Sequence, residues 1–103
     1  MIVRDFQSLS SQIIDRADAK IGAKHDVATT IFHLMEELGE VASEIYKERI
    51  SRGRPDPARF GGELAEAFML FAHLATQYGI DLEASIEQKL EETKKRFDIS
   101  DLD

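Results

Sequence analysis

Four glutamates, Glu36, Glu37, Glu40 and Glu44, fall within nine positions of HLMEELGEVASEI, and a second acidic pair, Glu63 and Glu66, begins after a gap of 22 residues from Glu40. Glu37 and Glu40 are three apart, as are Glu63 and Glu66, so on a helix each pair occupies adjacent turns of one face. Like charges at this step weaken an isolated helix by roughly a few tenths of a kcal/mol per pair. Cation binding is the chemistry that offsets such a cost. Carboxylates gathered on a divalent ion stay ionised, and an all-oxygen set suits magnesium or manganese better than zinc or copper.

The alternative is a hydrated helix flank. With Ile31 at zero and about 100° per residue, the apolar stripe of the second helix centres near roughly 330°, while Glu36, Glu40, Glu44 and Glu37 lie at about 140°, 180°, 220° and 240°. That is the polar side. Glu63, in the first turn of a helix, complements the helix dipole without any ligand. Glu66 is harder to leave in water, because positions 64–75 (LAEAFMLFAHLA) are apolar except for Glu66 and His73. A buried glutamate with no partner takes up a proton, whereas one that shares a cation keeps its charge.

The elements that must position these acids are helices. Val3, Phe6, Leu9, Ile13, Ile14, Ala17 and Ile21 recur at three- and four-residue steps and stop near Gly22. Asp26 caps a second helix whose stripe is Val27, Ile31, Leu34, Met35, Leu38, Val41, Ala42 and Ile45. SRGRPDPARFGG, residues 51–62, contains both prolines and three of the six glycines, and predicts a loop. A third helix ends at Gly79, and Asp81 caps a fourth with a narrow seam of Leu82, Ile86, Leu90 and Phe97. The expectation is an all-α, four-helix antiparallel bundle in one domain, 1–103, with helices at about 3–21, 27–50, 63–78 and 82–97. The third helix is apolar on nearly all sides and must be surrounded, which predicts self-association as a homodimer or homotetramer through helices two and three.

Composition narrows the classes. With 43% apolar and 32% charged residues the chain is of globular type. At 103 residues it buries only about 60 to 68% of its unfolded surface, so a lone monomer is marginal. The absence of cysteine excludes disulfides and thiolate metal sites. A net charge of −7 with no basic stripe repels nucleic acid polymers, and a phosphate-bearing partner would need cations between it and the carboxylates. No run reaches the roughly 18 apolar residues of a membrane span, and the first residues lack the order of a signal peptide. A soluble, cytoplasmic protein without membrane association is expected.

Glu36-Glu37-Leu38-Gly39-Glu40, followed after 22 residues by Glu63-Leu64-Ala65-Glu66, resembles the EExxE…ExxD signature of the MazG-type all-α nucleoside triphosphate pyrophosphohydrolases. Tyr78-Gly79-Ile80-Asp81-Leu82-Glu83 is similar to that family's link between the third and fourth helices. Lys89-Leu90-x-x-Thr93-x-x-Arg96-Phe97 is similar to its KxxxNxxR followed by an aromatic. The likeness covers residues 26–97. It departs from the pattern at Glu66, where the family has aspartate, and at Thr93, where asparagine is common. Magnesium demands near-octahedral geometry, so the longer Glu66 implies a shifted cage, a water-bridged ligand or a more forgiving ion.

The resemblance implies hydrolysis of a nucleoside triphosphate between its α and β phosphates. It assigns metal binding to Glu37, Glu40, Glu63 and Glu66, with Mg2+ as cofactor and Mn2+ as the alternative, and makes Glu36 a candidate for orienting the attacking water. Lys89 and Arg96, seven apart on the fourth helix, could meet the departing pyrophosphate, or could only form salt bridges among Glu91, Glu92, Lys94 and Lys95. His73 reads as a core histidine, and His33 and His25 have weaker claims to the site. Base stacking falls to Phe6, Phe60 or a neighbouring subunit. Two other readings stand beside this one: the related phosphoribosyl-ATP pyrophosphohydrolase, and a non-catalytic helical oligomerisation module with a vestigial acidic site.

Overall fold

A computed structural model of the chain describes residues 2–102 as four helices, α1 Val3–Ile21, α2 Val27–Arg49, α3 Pro57–Gln77 and α4 Leu82–Arg96, with no strand among the described residues. The boundaries follow local chemistry. Gly22 closes α1 at φ 70°, in the left-handed region that glycine adopts at no steric cost. Asp26, Asp56 and Asp81 each cap the next helix, accepting the backbone N–H of Thr29 (2.8 Å), Arg59 (3.1 Å) and Ala84 (3.4 Å).

Helix α3 begins six residues before the predicted start at 63. Residues 51–56 are a loop as expected, but 57–62 are helical. Pro57 takes the first helical position, where its missing N–H is no loss and its fixed φ suits the helix. Gly61 and Gly62 are therefore interior, where each costs about 1 kcal/mol relative to alanine. The Asp56 cap and the packing of the following turns outweigh that cost.

Helix α3 lies between α1 and α2 and packs along both, whereas α4 packs chiefly against α1. The core is Ile14, Leu34, Ala67 and Leu70. Ala67, Ala72 and Ala75 are buried on α3, so small side chains bring its backbone close to its neighbours. Polar groups secure the start of α4. The Gln7 amide donates to Thr76 Oγ1 (3.1 Å) and the Ile80 carbonyl (2.7 Å) and accepts from the Leu82 N–H (2.9 Å), while Arg4 pairs with Asp81 at 2.8 Å. Beyond that anchor no residue of α4 is buried, and the seam residues Ile86, Leu90 and Phe97 stay exposed.

Much of the apolar surface on α2 and α3 has no cover within the chain: Phe32 is 69% exposed, Met35 63% and Phe68 64%, with Leu38, Leu64 and Phe71 also open. No helix among the described residues is long and apolar enough to cross a membrane.

Candidate functional site

The buried side of α2 is formed by Thr30, Leu34, Glu37 and Glu44. This corrects the angular expectation that Glu37 and Glu44 are on the hydrated flank. Helix α3 covers α2 on a face rotated away from the centre of the apolar stripe, so Met35, Leu38 and Ile45 are left exposed and two glutamates turn inward. Glu44 has a structural partner there. Arg59, from the first turn of α3, donates to its Oε2 at 2.8 Å, and Lys47 lies 3.7 Å from Oε1.

Glu37 has no such partner. It is 6% exposed, its Oε1 is 3.5 Å from His33 Nε2, and its Oε2 is buried with nothing bonded to it. Burial pushes its pKa up, the charges of Glu66 and Glu40 add to the rise, and His33 opposes it. Glu66, contributed by α3, brings its Oε1 to 3.6 Å from the same His33 nitrogen. Its side chain is half exposed, contrary to the expectation that its apolar helix buries it. Glu63, one turn earlier on α3, has a buried Oε2 without a partner.

Two overlapping groups of ligand atoms result, His33 with Glu37 and Glu66, and Glu36 with Glu37 and Glu40, each set lying within 4.8 Å of one another. Glu37 belongs to both. Glu36 and Glu40 are exposed at the outer edge of α2. Lys89 pairs with Glu92 at 3.5 Å, and the Arg96 guanidinium lies over the Phe97 ring, 4.9 Å from its centroid. Among the described residues neither makes an ion pair with the acidic groups of α2 and α3.

Histidines count for more here than their sequence positions indicate. The Asp18 carboxylate accepts both the backbone N–H of His25 (2.8 Å) and its Nδ1–H (2.9 Å), and His25 Nε2 is 2.9 Å from His33 Nδ1. Burial raises the Asp18 pKa, but the side-chain and backbone hydrogen bonds from His25 outweigh it and hold the carboxyl below its ordinary value. One signal for His33 was present in the sequence: it stands four residues before Glu37, the spacing of facing neighbours on a helix. His25 and Asp18 carry no comparable signal, because they meet through the α1–α2 turn. His73 is a core residue, its Nδ1 2.9 Å from Ser11 Oγ, although its buried Nε2 has no partner.

A cleft of about 260 Å3 opens beside the cluster, lined by His25, His33 and Glu66 and by apolar Ile14, Met69 and Leu70. Neither Phe6 nor Phe60 lines it. Phe60 borders a separate groove with Ile45, Arg54 and Pro57. Comparison with protein-family models, curated proteins and solved structures finds no match to the chain.

Proposed function

We propose that this chain is a metal-dependent nucleotide pyrophosphohydrolase of MazG-like type, converting a nucleoside triphosphate to its monophosphate and pyrophosphate as a homo-oligomer. The observation that carries this reading is Glu37, a buried carboxylate whose Oε2 has no bonded partner and which is gathered with Glu66 from a second helix. A structural glutamate at that depth would have a close cation, as Glu44 has Arg59 at 2.8 Å, whereas Glu37 has only the His33 imidazole at 3.5 Å. The donor chemistry fits a divalent ion, because Glu37 keeps a buried oxygen free for one; Glu63 has one too, although it belongs to neither group of clustered ligand atoms.

Glu37, Glu40, Glu63 and Glu66 would hold Mg2+ or Mn2+. Such an ion supplies positive charge to the triphosphate oxygens and acidifies water. The chain's own residues do the rest. Four carboxylates carry four negative charges, so two or more ions, or one together with the substrate's own, balance the set. Glu36, exposed beside Glu37 and Glu40, orients the water and takes its proton. Ile14, Met69 and Leu70 give the cleft an apolar wall for the nucleoside, and its volume of about 260 Å3 falls just below the usual range of ligand pockets. Lys89 and Arg96 serve the phosphates only where a second copy brings its α4 over the acids. The uncovered apolar residues on α2 and α3 support such an assembly.

Pyrophosphate release from a panel of nucleoside triphosphates, with and without magnesium or manganese, tests the proposal and separates it from the phosphoribosyl-ATP activity. The non-catalytic module draws support from one observation, that Lys89 and Arg96 are engaged within α4. Its signature is a stable oligomer inert across the whole panel.

A further inference from the structure

We infer that His33 Nε2 is a metal ligand, completing with Glu37 and Glu66 a nitrogen-containing site oriented by Asp18 through His25 and selective for manganese or another first-row transition ion over magnesium. The inference rests on the reading of the acidic cluster as a metal centre and adds a donor of different chemistry to it.

The proton positions lead to this. The Asp18 carboxylate already accepts the His25 backbone N–H, and it takes the His25 Nδ1–H as well. In neutral His25, Nε2 then carries a lone pair, and that lone pair faces His33 Nδ1 at 2.9 Å. The hydrogen between the rings must therefore belong to His33 Nδ1, which leaves the lone pair of His33 Nε2 directed at the carboxylates of Glu37 and Glu66. Three electron-rich groups facing each other require a cation among them.

The distances suit a shared metal ion better than a short hydrogen bond. His33 Nε2 lies 3.5 Å from Glu37 and 3.6 Å from Glu66, too long for an N–H···O bond to either. Two donors each about 2.1 Å from one metal ion are separated by roughly 3.0 Å in octahedral and 3.4 Å in tetrahedral geometry. The observed spacings lie close to the tetrahedral value and about 0.5 Å beyond the octahedral one, so an octahedral ion would draw the three groups together. Glu37 is more than nine-tenths buried, and the second oxygen of its carboxylate, Oε2, has no bonded partner of its own. A carboxylate that fixes a histidine, whose far nitrogen is then free to ligate, is the usual outer support of a metal-binding imidazole; here a second imidazole extends it. Imidazole favours transition ions, whereas magnesium prefers oxygen, so the nitrogen donor shifts selectivity in their favour.

Pulsed electron paramagnetic resonance of the Mn2+-loaded protein tests the inference directly, with Mn2+ and Mg2+ affinities measured by calorimetry and helicity checked by circular dichroism. The parent should show nitrogen coupling to the manganese. The coupling should vanish in both His33→Gln and His33→Ala, with Mn2+ affinity down about tenfold or more and Mg2+ affinity changed much less. It should persist in His73→Gln. In His25→Gln it should persist with an affinity loss of about 10- to 100-fold, the mark of a positioning residue. Mn2+ bound without nitrogen coupling, or with coupling that survives both His33 variants, overturns the inference and leaves the acidic site intact. Binding of neither ion overturns both.

Discussion

The carboxylates of Glu37 and Glu66, carried by different helices, face a single nitrogen of His33 at 3.5 and 3.6 Å. This convergence ties α2 to α3 by groups that repel one another in the absence of a cation. Its energetic consequence is measurable without substrate. In metal-free protein at neutral pH, Glu37→Gln should melt a few degrees higher than the parent, because it removes a buried like charge. Glu40→Gln should melt no lower than the parent. Differential scanning calorimetry checks both, and a clear drop for either would make that residue a structural ion-pair partner.

The same repulsion sets the pH dependence. Glu37 binds its proton more tightly in the folded state than in the unfolded state, so its contribution favours folding at lower pH and is lost as pH rises through its elevated pKa. Asp18 works in the opposite direction. Its depressed pKa contributes stability that is present above the ordinary carboxylate value and is lost as pH falls through the folded value. Metal-free parent protein should therefore lose melting temperature between mildly acidic and neutral pH, and Glu37→Gln should flatten that slope without altering the loss in strong acid. Melting curves across pH check this.

Glu44 and Arg59 form a contrasting, purely structural pair, 2.8 Å apart with the glutamate buried and the arginine partly exposed. Arg59→Ala should cost roughly 1 to 3 kcal/mol by leaving the buried carboxylate with only the longer Lys47 contact, and should leave divalent-ion affinity unchanged. Urea unfolding and calorimetry measure the two effects separately.

Self-association should depend on the exposed apolar residues of α2 and α3. Light scattering coupled to gel filtration should find a dimer or tetramer, and Phe68→Glu should shift it toward monomer at micromolar concentration with a lowered melting temperature. A parent that is monomeric and stable would contradict an assembled site.

Helix periodicity and aspartate caps made the four elements legible from sequence, because those signals are local. Pro57 misleads in the same local terms: the residues PARFGG look like loop, but a proline at the first helical position with Asp56 before it starts a helix. The acidic pairs were visible as a pattern. Which of their members are buried was not, because that depends on the flank of α2 that α3 covers, and α3 covers one offset from the most apolar. The Asp18–His25–His33 chain joins a helix, a turn and another helix, and no spacing rule links the three. Glu66 shows the reverse error, since an apolar neighbourhood in sequence does not bury a residue on a face that no other helix of the chain covers.

Glu66→Asp places at this position the residue of the resembled signature, and on the proposed function should hold or raise pyrophosphate release. Loss of activity in a folded Glu66→Asp protein would show that Glu66 does not occupy the position of that aspartate.

The most direct measurement is pyrophosphate release from a full panel of nucleoside triphosphates by parent and Glu37→Gln protein, with magnesium, with manganese and with chelator. The account predicts release from at least one nucleotide that disappears with chelator and falls by about a hundredfold or more in Glu37→Gln, the scale of losing a metal-held transition state. A folded, metal-supplied parent that releases no pyrophosphate from any member, or a Glu37→Gln protein as active as the parent, would contradict it.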